Sequence, residues 1–324
     1  MPGPEIIGVS GLRKSYGAVP VLHGVDLHVG RGEIFALLGP NGAGKTTTQE
    51  ILTGFSSRSA GSVSVLGQDP AGAGPEWRAR LGIVPQDMGS FDELSVKEVV
   101  AHFASLYPDP FPVDTVIQRT GLGEKANERT GRLSGGQQRR LDIALGIVGR
   151  PELVFLDEPT TGLDPEARRV TWELIRELAS DGTTVMLTTH YLDEVEALCE
   201  RVAILLKGKV AALGAPGDIG GRAHGEAVIE FHADGPLRDA QLPALHNAGT
   251  PLAAGPDGQV RISTATPAAV LRVLLDWAVQ VGSYDLPGLT VTRPTLEDVY
   301  LRMIASADAA TPAPAPAPGL EYIA

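Results

Sequence analysis

The chain has 324 residues, 43% of them hydrophobic and 20% charged, a composition that excludes a disordered or fibrous protein and suits one large domain with a smaller one. Its formal net charge of −12, from 27 basic and 39 acidic side chains with six lysines among them, supplies no broad basic surface, so nucleic acid is not an expected partner. The single cysteine, Cys199, has no internal disulfide partner, and no apolar run approaches the roughly 20 residues of a membrane helix.

The opening stretch MPGPEIIGVSGLRKSYG lacks a charged region followed by an apolar run, so a cytoplasmic protein is expected. Any role in transport then needs a membrane subunit from another chain.

Five short apolar runs follow in order: EIFALLG (33–39), RLGIVPQ (80–86), ELVFLDE (152–158), TTVMLTT (183–189) and RVAILLKG (201–208). Runs this short and this continuous, separated by helical periodicity, predict a buried sheet with helices on both faces, hence an α/β core. Between the second and third runs lies a mainly helical insert over about 87–150, with candidate helices at 95–106, 113–120 and 137–148. After about Gly217 a second αβ pattern begins: EAVIEFH (226–232), QVRIST (259–264), a helix over 267–279, LTVTR (289–293) and a helix over 295–303. Thr266 before Pro267, and Thr295 with Asp298 three residues on, mark the two helix starts. The expected domains are therefore 1–217, an accessory domain over 218–303, and a Pro/Ala-rich disordered tail over 304–324.

The first run leads into GPNGAGKTT, which fits Gly-x-x-x-x-Gly-Lys-Ser/Thr in the strand-to-helix context that pattern requires. Gly39, Pro40, Asn41, Gly42, Ala43 and Gly44 would form a loop whose backbone N–H groups cradle phosphates. Lys45 would reach the β- and γ-phosphates, the Thr46 hydroxyl would coordinate Mg²⁺, and Thr47 continues the helix. In the third run Asp157 and Glu158 stand at the C-terminal end of a buried strand, where ligands of open α/β sheets sit. Asp157 is suited to hold Mg²⁺ through water and Glu158 to orient and deprotonate an attacking water. His190 ends the fourth run in the same way. Gln86 leaves the second, and reads either as a sensor of Mg²⁺ and water or as a loop hydrogen-bonder.

RLSGGQQRRLDIALGIV (132–148) places Ser134 and two glycines before an amphipathic helix, an end suited to an anion. With this stretch the chain resembles the nucleotide-binding subunits of ABC transporters over about residues 6–217. The matching order is an aromatic at Tyr16, Walker A at 39–47, the Q-loop glutamine Gln86, the LSGGQ signature at 133–137, Walker B ending at Asp157 and Glu158, the D-loop TGLD ending at Asp164, and the switch histidine His190. The resemblance implies a P-loop NTPase fold with a helical subdomain, ATP and Mg²⁺ as cofactors, and a homodimer of cassettes that forms on ATP binding. Ser134, Gly135, Gly136 and Gln137 of one copy would close over the γ-phosphate held by the other, and Tyr16 would stack on adenine. It also implies an integral membrane permease as partner and a peripheral location on the cytoplasmic face of the membrane.

LLGPNGAGKTTTQEIL, the accessory domain and RPTLEDVYLRM resemble export ATPases of the daunorubicin/doxorubicin resistance type. The expected function is thus export of a drug, antibiotic or other hydrophobic compound. A soluble ABC ATPase of translation or DNA repair, and an importer ATPase, are the rivals. One departure from the family pattern is Gln49, polar where relatives often carry an apolar residue.

Overall fold

Two strands of 12 residues open the described chain, β1 (Glu5–Tyr16) and β2 (Val19–Gly30), paired antiparallel around a tight turn at Gly17, whose φ of 58° suits glycine. The computed structural model describes residues 5–221, 226–238, 240, 242, 243, 245 and 258–309. Its contacts divide the chain into two units, Met1–Pro216 and Gly217–Ala324.

In the first unit β1 and β2 are joined by β4 (Ala60–Val65) in a sheet of order β2-β1-β4. The second sheet contains β3 (Ile34–Leu38), β5 (Leu81–Val84), β6 (Leu153–Asp157), β7 (Thr184–Thr189), β8 (Arg201–Leu206) and β9 (Lys209–Gly214). Its order is β5-β6-β7-β3-β8-β9, parallel throughout except for β9. Every residue of β3 and β7 is buried, the pattern of parallel strands covered on both faces.

One face of that sheet carries a core shared with the first sheet. Val9, Leu12, Val25 and Val63 pack with Phe35, Leu37, Phe155 and Met186, together with Ile51 and Leu52 of α1 (Lys45–Leu52) and Trp77 of the short α2 (Pro75–Arg78). Burying one such Val, Leu, Ile or Phe side chain is worth about 1.5–3 kcal/mol. The opposite face carries α5 (Gly135–Ile147) on β5, α6 (Pro165–Ser180) on β7, and α7 (Leu192–Leu198) on β3 and β7. Helices thus lie on both faces as expected, and the face of α1 and α2 is shared with an antiparallel sheet that the apolar runs did not announce. Its strands alternate, as in the buried Val25, Leu27 and Val29 between exposed Asp26 and His28, because they meet the core on one side and water on the other.

The helical insert contains α3 (Val96–Ala104), α4 (Val113–Arg119) and α5, packed on one another. Ser95 caps α3 in a reciprocal pair with Glu98. Helix α5 begins at Gly135, before the expected start at Gln137, because Ser134 Oγ accepts from Gln137 N (3.3 Å) while Gln137 Oε1 accepts from Ser134 N (3.0 Å). Gln49 is buried in α1, and its Oε1 has no hydrogen-bond partner.

In the second unit β10 (Ala227–His232) lies between β11 (Gln259–Thr264) and β12 (Thr290–Thr292). Ile229, Phe231, Val260 and Ile262 pack under Val270, Leu274 and Trp277 of α8 (Pro267–Gln280). The last helix, α9 (Leu296–Ala309), is capped by Thr295 and Asp298 as the spacing predicts. It runs to Ala309, so the expected tail does not begin at 304: the Ala-rich 304–309 continue the helix, and Pro312 follows only afterwards. Residues 310–324 of the expected tail lie outside the described residues.

Candidate active site

The loop after β3 is built for glycine at two positions by contact as well as by backbone. A Cβ on Gly39 would stand 2.4 Å from Leu205 O, and one on Gly44, whose φ is 104°, would stand 2.6 Å from Leu22 Cδ2. The loop is braced from β8 and β9, since Gly208 N, in the turn between them, donates to Ala43 O (3.0 Å). Lys45 opens α1 and is 6% exposed; its Nζ donates to Gly39 O (2.8 Å) and Pro40 O (3.3 Å). The positive end of α1 and this ammonium therefore meet at one point, with Gly42 and Asn41 exposed above them. Burial pulls the Lys45 amine below its usual pKa, against the carboxylates of Glu158 and then Asp157, which favour the charged form.

The second wall comes from the ends of β6 and β7. Glu158 turns out of β6 with φ 47°, a left-handed backbone, and its N–H is held by both O (3.1 Å) and Oγ1 (3.2 Å) of Thr188. The Thr188 hydroxyl donates to Asp157 Oδ1. Glu158 Oε2 accepts from Thr161 Oγ1 (3.1 Å), while Oε1 faces Lys45 Nζ at 3.9 Å and His190 Nδ1 at 3.2 Å. The His190 contact is out of line for a hydrogen bond, and the ring packs on Tyr191 with centroids 4.1 Å apart.

Asn41, Gly42, Gly44, Lys45, Thr46, Thr47, Gln86 and Glu158, with Val21, line one cleft of about 480 Å³, within the range of small-molecule sites. Gly39, Pro40 and Ala43 form the loop behind it. Asp157 and His190 flank Glu158 without lining the cleft. Tyr16 also lies outside the lining; its hydroxyl contacts Glu50 Oε2 (3.5 Å) and Lys14 Nζ sits 4.6 Å over its ring. Ser134, Gly135, Gly136 and Gln137 are in the helical insert, with Ser134 and Gly135 exposed, and Asp164 caps α6 through Ala167 N (2.8 Å). The chain thus brings together the loop, Gln86 and Glu158, and leaves the start of α5 outside that cleft.

A glycine loop, a helix start and a buried lysine facing a carboxylate fit a polyphosphate whose terminal group is attacked by water. The family model of ABC transporters matches residues 22–161, and that of the C-terminal domain of ABC transporter domain-containing protein-like sequences matches residues 227–295. The chain is 37% identical over 320 residues to Nod factor export ATP-binding protein I of Ralstonia nicotianae, covering 93% of this chain and 96% of that one. For the protein of the same description in Rhizobium meliloti the identity is 35% over 306 residues, covering 92% and 87%. The chain belongs to the ABC transporter ATP-binding proteins.

Solved structures agree on the fold of this ABC ATPase. The cbiO1 protein of Clostridium perfringens, part of an ABC transporter complex, matches with a TM-score of 0.61 at 30% identity, covering 66% of this chain and 90% of that one. An ATP-binding subunit of an ABC transporter matches at 0.60 and 29%, covering 66% and 91%. A dimeric ATP-binding cassette bound to ADP and Pi has a TM-score of 0.58 at 24% identity, covering 64% and 98%. The chain is a P-loop ABC ATPase and the ATP-binding subunit of an ABC transporter.

Three residues that position this ABC site escape the motif pattern. Thr188 holds the turn at Asp157 and Glu158, and Gly208 braces the loop. Arg139 is buried at 7% exposure behind the ends of β5 and β6.

Proposed function

We propose that this ATPase energises a separate membrane permease that exports a drug, antibiotic or other hydrophobic compound, and that Glu158 is the general base of the reaction. The observation that carries the catalytic reading is the single carboxylate oxygen of Glu158 facing both Lys45 (3.9 Å) and His190 (3.2 Å) at the rim of the glycine-loop cleft. Lys45 and the loop 39–47 bind and orient the β- and γ-phosphates of ATP. Glu158 accepts the proton of the attacking water, and His190 holds that carboxylate and the terminal phosphate in register. Thr46, Gln86 and Asp157 would hold Mg²⁺, which when bound neutralises charge on the β- and γ-phosphates. Thr46 and Gln86 both line the cleft, which supports that assignment.

In this reading two copies associate head to tail on ATP binding. The exposed end of α5, with Ser134, Gly135, Gly136 and Gln137, closes over the γ-phosphate at the loop of the other copy, Asp164 lies at the joint, and Tyr16 stacks on the adenine. Gly136 packs against α6, where a Cβ would stand 2.7 Å from Ala167 Cβ, so this edge is tied to the helix that Asp164 caps. Residues 1–217 are the cassette, with 87–150 as its helical subdomain, and 218–303, extended to Ala309, are an accessory domain. The complex sits at the cytoplasmic face of the membrane. Among the described residues no helix is long and apolar enough to cross a membrane, which accords with a separate permease.

The export direction draws on relatives named for Nod factor export. The test is purification of Glu158→Gln with Mg-ATP from detergent-solubilised membranes of its host, with mass spectrometry of what accompanies it. A polytopic membrane protein is the expected result. Ribosomes or DNA-repair factors instead would overturn the transport reading in favour of a soluble ATPase, and a permease paired with an external binding protein would favour an importer.

A further inference from the structure

Each arm of the Arg139 guanidinium reaches a different main-chain carbonyl. Nη1 donates to Pro85 O (2.8 Å), Nη2 to Asp157 O (2.7 Å) and Nε to Pro159 O (3.0 Å). These carbonyls belong to the residue before Gln86 and to the residues on either side of Glu158. The guanidinium sits in α5, directly behind the exposed end that starts at Ser134. One side chain therefore joins the exit of β5, the exit of β6 and the first turns of α5. Two of the three carbonyls belong to prolines, whose fixed φ stiffens the chain beside each bond. The charge is buried next to Asp142 (3.6 Å), with Asp157 and Glu194 as further anions that oppose the cost of its burial.

We propose that Arg139 is a positioning residue for ATP hydrolysis: it locks Gln86 and Glu158 to the start of α5, so that a shift of that helix end is transmitted to the base. This rests on Glu158 as the base. A lysine cannot reproduce the effect, because a single ammonium does not present a planar fork to three separated carbonyls. An isolated structural contact would affect folding alone, whereas a lock of this kind makes turnover depend on the guanidinium while nucleotide binding, made by the loop on the other side of Glu158, does not.

The test uses the full chain with Arg139→Gln, which leaves no unpaired buried cation, and Arg139→Lys, which keeps the charge. ATP affinity, kcat and thermal unfolding are measured for each alone and in the Glu158→Gln background. Nucleotide Kd within about twofold of wild type, kcat lowered at least about tenfold in both variants, and no further loss when Arg139→Gln is added to Glu158→Gln would support the lock. Unchanged kcat, parallel losses in affinity and kcat, or an additive double variant overturns it. Wild-type turnover in Glu158→Gln alone removes instead the base assignment and, with it, any route through Glu158.

If neither variant folds, native-state hydrogen exchange on the unmodified chain decides. The amides of Glu158, bonded to Thr188 O, and Gln138, bonded to Ser134 O, are expected to open as one unit with matching protection. Protection differing more than about tenfold between them contradicts the lock.

Discussion

Nδ1 of His190 and Oε1 of Glu158 stand 3.2 Å apart, each at the end of its own parallel strand, β7 and β6. Because β6 and β7 are hydrogen-bonded neighbours, the two side chains emerge side by side without any long loop to place them. Glu158→Gln keeps the shape of the site and removes the carboxylate proposed as the proton acceptor. It is expected to bind ATP as wild type and to lose about 10²–10⁴-fold in kcat, the usual weight of a general base. Steady-state hydrolysis beside equilibrium nucleotide binding checks this, and turnover at the wild-type rate would remove Glu158 from the role.

Lys45→Ala takes away the one ammonium in the cleft and leaves the Glu158 carboxylate facing the phosphates unopposed. Nucleotide binding at millimolar ATP is expected to vanish. Calorimetric titration provides the check, and an affinity equal to wild type would count against the loop as the phosphate site.

Ser134→Arg puts a long cation on the exposed helix start and deletes the hydroxyl that caps Gln137 N. The lost cap costs about 1 kcal/mol, small enough for the chain to stay folded. In a Glu158→Gln background with Mg-ATP, gel filtration is expected to return a monomer that still binds nucleotide. A dimer at the same ATP concentration would sink the head-to-tail arrangement.

Burial pushes the Asp142 carboxyl up to about 6 from 3.8, more than its Arg139 neighbour pulls it down. A carboxyl raised in the folded state binds its proton there more readily than in the unfolded chain. Its contribution to stability is therefore present below about pH 4 and lost as pH rises through about 6. Asp142→Asn lacks this dependence. Between pH 4.5 and 7.5 its stability relative to wild type is expected to rise by about 2 kcal/mol. Chemical unfolding of both proteins at the two pH values measures it, and a constant difference contradicts the assignment.

Gln49 carries a buried amide oxygen without a hydrogen-bond partner in the helix that follows the phosphate loop. Gln49→Met has nearly the same length and no such atom, so thermal unfolding is expected to show a gain of about 1 kcal/mol with ATP affinity unaltered. A loss of stability would mean that the amide nitrogen does more than the oxygen costs.

The parallel strands were legible because strands covered on both faces read as unbroken apolar runs, as in Ile34–Leu38, and the phosphate loop because its chemistry is local to nine residues. The first sheet was missed for the opposite reason. Its strands alternate, and residues such as Arg13 and His28 interrupt the apolar signal on the side that does not meet the core. Arg139 was illegible in another sense: its partners are carbonyls 54, 18 and 20 residues away, a relation that depends on the sheet order and not on any side-chain pattern. The end of α9 was misjudged because the alanines before the Pro-rich stretch favour helix as much as they resemble a tail.

In the six-stranded sheet β7 lies between β3 and β6, although both of those strands precede it in the chain. During synthesis the phosphate loop after Leu38 and the Glu158 turn after Asp157 therefore exist before the strand that holds them together. At about 5–20 residues per second, the gap between β3 and β7 amounts to roughly seven to thirty seconds on the ribosome. A nascent chain halted between Glu158 and Thr184 carries the glycine loop and the carboxylate yet has no strand to seat them against each other. The same gap leaves the apolar edges of β3 and β6 waiting for β7 and makes that interval the one in which a chaperone has most to protect.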